Sequence, residues 1–253
     1  MGIRAIVPSA GRGRRLSADG LDLPKVLHKI CGRELISLVL DELSFIDPRD
    51  IYVVTGYKRE RVEQFLADTG RGYRTVYQKN QLGTGHAVAV CAPEFEGFSG
   101  TVLVTFGDMP LFRGSVMEAL CARHAETGAA CTLLTARNPS LDNWARVTRA
   151  PDGRFSAIVE GRDCTPEQKK SGELFAGVLA FDSKLLFETL PRLSVDNAQH
   201  EYYLTEVPGL LAAAGYLVET YETDDPDDLC GVNSPEDIAV CEEVFQKRAA
   251  RGV

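Results

Sequence analysis

Along the first half of the chain, short apolar runs alternate with stretches whose apolar residues recur at helical spacing. Residues 2–7 form a β-type run that passes into the glycine- and arginine-rich stretch 10–15. Residues 34–45 place Leu35, Leu38, Val39 and Leu43 on one helical face, and 50–55 is then a continuous apolar strand closed by Gly56. The alternation continues with a helix over 59–68, a strand over 73–77, a helix over 84–91, a strand over 101–106, a helix over 114–126 and a strand over 130–136. Strands that are apolar throughout and separated by helices predict an α/β fold, a mostly parallel sheet with helices on both faces.

Beyond residue 140 the texture changes. Residues 145–149 and 153–160 read as a hairpin across Pro151-Asp152-Gly153, and 172–181 reads as a further strand, which predicts a small antiparallel insertion. Helices over 183–189 and 205–214 and a strand over 216–221 follow. The closing helix spans 235–247, with Ser234 as its N-cap and Pro235 at its first position. No internal repeat, low-complexity tract or linker interrupts the pattern, so residues 1–253 read as a single domain with a lid-like insertion.

Charge narrows the partners. The 28 Lys and Arg against 36 Asp and Glu leave a formal charge of -8, which predicts binding neither to nucleic acid nor to an anionic membrane. No apolar run approaches the roughly 20 residues that cross a bilayer, and the opening apolar stretch is too short for a cleaved signal, so the expected location is the cytoplasm. The seven cysteines, at 31, 91, 121, 131, 164, 230 and 241, show no C-x-x-C pair and are expected to be reduced, mostly buried thiols. Against the acidic whole, residues 1–33 carry Arg4, Arg12, Arg14, Arg15, Lys25, Lys29 and Arg33 with only Asp19 and Asp22. Such a local basic cluster suits a small polyanion, most simply a nucleoside triphosphate.

Three segments can carry chemistry. The loop Gly11-Arg12-Gly13-Arg14-Arg15 follows a strand, where glycine lets backbone N–H groups approach phosphates; the plain alternative is a basic surface turn. It is no dinucleotide fingerprint, since Leu16 stands where a third glycine is needed, and no Walker motif either. Asp108, just beyond a core strand, can hold Mg²⁺ beside phosphates or can simply cap a turn. Gln81-Leu82-Gly83-Thr84-Gly85-His86-Ala87 offers glycines, a hydroxyl and an amide to a base or phosphate, with His86 read as a packed structural histidine; His28, His124 and His200 lack ligand spacing. Residues 224–228 read as a solvated acidic run. Asn233, where the last strand hands over to a helix, can offer an oxygen to the same cation as Asp108. Neither a Gly-x-Ser-x-Gly elbow nor a Cys–His pair calls for covalent catalysis.

Taken in order, PSAGRGRRL, LPKVLH, QLGTGHA, FGDMPL, ARVTR, IVEGRD, EYYLTE and GVNSPED resemble the pyrophosphorylase half of bacterial bifunctional N-acetylglucosamine-1-phosphate uridylyltransferases, within the sugar-nucleotide transferases, over nearly the whole chain. The resemblance implies a Rossmann-like α/β domain that forms a UDP-sugar and pyrophosphate from UTP and a sugar 1-phosphate. It implies that Ala10, Gly11 and Arg15 line the triphosphate, that Lys25 contacts phosphates, and that Gln78, Gln81, Gly83 and Thr84 face the pyrimidine. Asp108 with Asn233 would hold Mg²⁺, and Glu160, Tyr203 and Thr205 would face the sugar. Of the pair expected to act on the reacting phosphates, Arg15 and Lys25, both are present. The hexapeptide repeats of an acetyltransferase half are absent from this sequence. The departures cluster: on the sugar side Ala145 stands for a glycine in Asn143-Trp144-Ala145-Arg146 and Ala176 for an asparagine, Phe106 stands for the usual tyrosine before Gly-Asp, and Pro8-Ser9 replaces Leu-Ala in the first loop. They imply retained nucleotidyl transfer with altered sugar selectivity. Two rival readings remain open from the residues: another base or phosphorylated acceptor on the same fold, and a nucleotide-binding regulatory domain without turnover.

Overall fold

The computed structural model describes residues 2–16, 22–138, 141, 144–223 and 225–251; Asp19, Asn143 and Asp224, named above, lie outside them. Among the described residues the main sheet has nine strands. Its first half repeats strand, helix, strand: β1 (Gly2–Pro8), α1 (Leu35–Glu42), β4 (Ile51–Thr55), α2 (Arg59–Asp68), β5 (Arg74–Tyr77), α3 (Thr84–Ala89) and β6 (Gly100–Thr105). Between β1 and α1 lies a ribbon of two-residue strands, β2 (Lys29–Ile30) and β3 (Arg33–Glu34), which takes the first residue of the helix expected from 34. The second half runs α4 (Gly114–Thr127), β7 (Cys131–Arg137), β8 (Arg146–Arg149), β9 (Phe155–Val159), β10 (Glu173–Asp182), α5 (Ser183–Thr189), α6 (Glu206–Ala213), β11 (Val218–Glu222) and α7 (Pro235–Arg251).

The spatial order is β11-β7-β10-β6-β1-β4-β5, and every pairing along it is parallel except those of β10. The sequence placed residues 172–181 in the antiparallel insertion, whereas β10 lies inside the main sheet, antiparallel to both β6 and β7, and its start also carries the β8–β9 hairpin. Nine of its ten residues are buried, so its apolar run states that it is central without stating its direction. Alternate residues feed the two faces: Ala5 and Val7 join helices α1, α2 and α4 on one side, and Ile6 joins α3, α5 and α6 on the other. Helices cover both faces, as the periodicity predicted.

The last helix is seated differently. Leu16, Ile30, Leu35, Leu38, Leu111 and Val232 form a third apolar cluster with Cys241 and Val244 of α7. Here two expectations are corrected. Cys230 and Cys241 are joined as a disulfide with Cα atoms 6.6 Å apart, because the turn after Asp228 folds back along the start of α7 and brings residues 11 positions apart face to face, a spacing without a sequence signature. The other cysteines are free, as expected; burial pushes the Cys91 and Cys121 thiols up to about 12. Nor is the acidic run a solvated one at Asp228, which is fully buried. Its carboxylate accepts from Arg113 Nη2 at 3.2 Å, Arg248 Nη2 at 2.8 Å and Thr223 Oγ1 at 2.5 Å, while Arg248 Nη1 donates to the Leu111 carbonyl at 2.6 Å. Two guanidinium groups make burial of that charge tolerable.

Arg248→Met removes one guanidinium, leaving Asp228 with Arg113 and the Thr223 hydroxyl, and is expected to lower stability by about 3 kcal/mol. Urea unfolding measures it; a loss under about 1 kcal/mol, the size of an exposed pair, contradicts the account.

Candidate active site

Strands β6 and β4 lie on opposite sides of β1, so the loops after them diverge and leave a crevice at the C-terminal edge of the sheet. Backbone bonds hold the loops there: Ser9 N to Val54 O at 2.9 Å, Tyr57 N to Ala10 O at 3.0 Å and Gly107 N to Pro8 O at 3.1 Å. Gly56 packs so closely that a Cβ would stand 2.6 Å from the Ala10 Cβ, so the crevice wall admits no side chain at that point. A cavity of about 240 Å³ opens here, lined by Ala10, Gly11, Lys25, Gln78, Gln81, Gly83, Thr84 and Asp108, all expected from sequence, together with Ser9, Phe106 and Glu201, which were not. A larger cavity of about 590 Å³ lies between β9, α6 and β11 and contains none of the expected site residues.

At one end of the crevice the Lys25 ammonium forms an ion pair with Asp108 Oδ2 and donates to Asn233 Oδ1 at 2.8 Å. One cationic group thus meets a carboxylate oxygen and an amide oxygen. Those are the hard donors a divalent cation such as Mg²⁺ takes when phosphates and water complete its shell, so the residues fit such an ion. Among the described residues no group of three or more His, Cys, Asp or Glu forms a full protein cage. Arg15 is exposed on the loop above, and Arg12 stacks over Tyr57 with its guanidinium 5.0 Å from the ring centre.

Gln78 is buried, and its Nε2 contacts the Gly83 carbonyl at 3.1 Å and His86 Nδ1 at 2.9 Å. It therefore lines the cavity while holding the glycine loop in place. Burial lowers the pKa of His86, which fits the packed structural role read from sequence. The loop docks directly on the EYYLTE segment: Tyr202 N donates to Leu82 O at 2.8 Å, Gly85 N to Tyr202 O at 2.7 Å, and Leu204 N to Thr84 Oγ1 at 3.0 Å. Gly83 has φ +112, and a Cβ there would stand 2.6 Å from the Tyr202 carbonyl.

Beside this contact, Thr205 Oγ1 donates to Glu160 Oε1 at 2.8 Å. Burial raises the Glu160 pKa against the pull of that bond, and burial with the charges of Asp163 and Glu160 pushes Tyr203 up to about 12. Glu160, Tyr203 and Thr205 are thus brought together. Ala145 and Ala176 are near each other through the backbone, since Phe175 N donates to the Ala145 carbonyl at 3.0 Å, but both are buried and their methyl groups join different core clusters. Under Asp108, Met109 fills the space against Gly177 and Gly231, and Trp144 Nε1 donates to Phe175 O at 2.7 Å; sequence reasoning passed over both side chains. Glu201 was legible as the first residue of the EYYLTE motif.

A MobA-like NTP transferase domain model matches residues 5–202. The bifunctional protein GlmU of Alkaliphilus metalliredigens is 38% identical over 251 residues, 99% of this chain and 54% of that protein. The one from Synechococcus sp. (strain CC9605) is 40% identical over 242 residues, 96% of this chain and 52% of that protein. The chain spans about half the length of these curated relatives. Among solved structures, a UDP-glucose pyrophosphorylase complexed with UDP-glucose superposes with TM-score 0.77 at 16% identity, covering 98% of this chain and 100% of that one. A Bacillus anthracis structure described as a glucose-1-phosphate thymidylyltransferase superposes with TM-score 0.76 at 17% identity, covering 96% and 95%. These two share the fold.

The half-buried Glu160 gives a pH-dependent expectation. Its folded pKa lies above the ordinary 4.5, so the folded protein binds that proton more tightly than the unfolded chain. Stability then falls as pH rises from the ordinary value through the raised one. Glu160→Gln, which can still accept from Thr205, is expected to raise the melting temperature near pH ~7 and to show no such gain near pH ~3, where both states are protonated. An equal gain at both values contradicts the assignment.

Proposed function

Because the chain belongs to the family of MobA-like NTP transferase domains, we propose that it is a sugar-1-phosphate nucleotidyltransferase that forms a UDP-sugar and pyrophosphate from UTP and a hexose or N-acetylhexosamine 1-phosphate. The observation that carries this reading is the meeting of Lys25, Asp108 and Asn233 at the mouth of a glycine-walled crevice at the sheet edge. The names of the relatives support the substrate class.

In the proposed reaction an oxygen of the sugar phosphate attacks the α-phosphorus of UTP, and the bond from that phosphorus to the oxygen bridging toward the β-phosphate breaks, releasing pyrophosphate. The attacking group is already ionised near pH ~7, so no general base is required. What the chain must do is hold two polyanions in line against their repulsion. Gly11 leaves backbone open to the triphosphate, and Lys25 and Arg15 neutralise charge on the reacting and leaving phosphates. Gln81, Gly83 and Thr84 take the pyrimidine side, with Gln78 holding their loop. Asp108 and Asn233 would hold Mg²⁺, which supplies charge neutralisation across the phosphate oxygens. Glu160, Tyr203 and Thr205 face the sugar. No described helix is long and apolar enough to cross a membrane. Nucleotide and sugar phosphate substrates fit a cytoplasmic location, with the Cys230–Cys241 disulfide a feature at odds with a reducing compartment.

The test is a pyrophosphate-release assay with Mg²⁺, four nucleoside triphosphates and a panel of hexose and N-acetylhexosamine 1-phosphates; release with none of them refutes the proposal. Lys25→Ala is expected to lower kcat by about 10² to 10³. A raised KM at unchanged kcat would make Lys25 a ground-state contact instead.

Selectivity is expected to be loose on the sugar side. A buried Ala176 methyl offers no hydrogen bond to an acetamido group, and each bond lost to a buried polar substrate group costs about 1 to 3 kcal/mol. The ratio of kcat/KM for N-acetylglucosamine 1-phosphate over glucose 1-phosphate is therefore expected to stay below about a hundredfold. A larger ratio shows that other side chains have replaced the missing contact.

A further inference from the structure

Asn233 is fixed from several directions. Its Nδ2 donates to the Gly231 carbonyl at 3.3 Å, which turns Oδ1 toward Lys25. Val232 N donates to the Asp108 carbonyl at 2.9 Å, so the two loops are joined through main chain one residue before Asn233. Behind it, a single carboxylate oxygen, Asp237 Oδ2, accepts from Asn233 N at 2.7 Å and from Ser234 N at 2.8 Å. Ser234 Oγ accepts in return from Asp237 N at 3.4 Å.

The exchange between Ser234 and Asp237 is a reciprocal helix cap, and a cap needs only that pair. The bond to Asn233 N is additional, reaching one residue beyond the cap to the backbone of the residue whose side chain enters the site. We propose that Asp237 is a positioning residue for the cation site: it holds the Asn233 main chain so that Oδ1 and the Asp108 carboxylate face one ion. An asparagine side chain is short, so a shift of its Cα moves Oδ1 by a similar distance. Outer partners of this kind commonly govern metal affinity by factors of about 10 to 100. The proposal rests on the reading of Asp108 and Asn233 as cation ligands.

Mn²⁺ binding to the protein–UTP complex, followed by electron paramagnetic resonance, tests it alongside the half-saturating Mg²⁺ in the pyrophosphate assay. Asp237→Ala is expected to weaken Mn²⁺ binding about tenfold and to raise the Mg²⁺ requirement by the same factor. Ser234→Ala removes the cap bond from its hydroxyl but leaves both bonds to Asp237 Oδ2, and is expected to stay within about twofold of wild type. Asp237→Asn, which keeps a neutral acceptor, falls between; if Asp237→Ala does not fold, its comparison with Ser234→Ala decides the matter. The proposal is overturned if Ser234→Ala weakens Mn²⁺ as much as the Asp237 variants do, since helix capping then explains the effect, or if the Asp237 variants bind as wild type does. An affinity that Asp108→Asn leaves unchanged overturns the cation reading itself, and this proposal with it.

Discussion

The site depends on a single electrostatic arrangement, an ammonium held between a carboxylate and an amide oxygen that lie 83 and 208 positions from it in sequence. Two oxygen donors directed at one partly buried point are unfavourable unless positive charge lies between them. That requirement links three otherwise separate segments: the basic loop after β1, the turn after β6, and the loop that enters α7. Each follows the end of a strand or precedes the start of a helix, where backbone groups are available to bond the loops to one another.

The third segment needs the most support, because α7 packs against the small β2–β3 ribbon through its apolar cluster. Its apolar cluster gives adhesion without direction, since leucine and valine contacts tolerate sliding by a fraction of a turn. The charged trio of Asp228, Arg113 and Arg248 does not, for a shift of one turn would carry Arg248 of α7 away from the buried carboxylate and from the Leu111 carbonyl. An apolar trio of similar volume can match it in stability; what the charges add is register. Register is what brings Asn233 to the same point as Asp108, so a buried ion cluster remote from the crevice bears on the geometry within it.

Sequence reasoning read the strand and helix succession well, because period-3.6 and continuous apolar segments are local signals. What it missed depends on distant partners. The run Glu173–Asp182 is buried on both faces in either direction, so its antiparallel place inside the sheet left no mark in its pattern. Asp228 looked like its exposed neighbour Asp227 because the arginines that bury it lie 115 positions before and 20 positions after it. The pairing of Cys230 with Cys241 requires knowing that a turn folds back on a helix. Asp237 is a different case: Ser234-Pro235-Glu236-Asp237 carries a capping signal, yet only coordinates reveal that the carboxylate reaches one residue farther.

The motifs that made the resemblance specific also touch each other. Gly83 and Gly85 of QLGTGHA lie against the Tyr202 backbone of EYYLTE, too close for any side chain at Gly83, and Gly56 lies as tightly on Ala10. At such contacts packing constrains the residues that line the crevice, so a match there speaks for the architecture of the crevice. Ala145 and Ala176 sit in core clusters instead, where a small residue can be exchanged for a neighbour's adjustment without moving the loops. The departures of this chain therefore fall in two settings: Ala145 and Ala176 lie in the core, while Pro8-Ser9 lies in the loop that the bonds from Ser9 N to Val54 O and from Gly107 N to Pro8 O hold at the crevice.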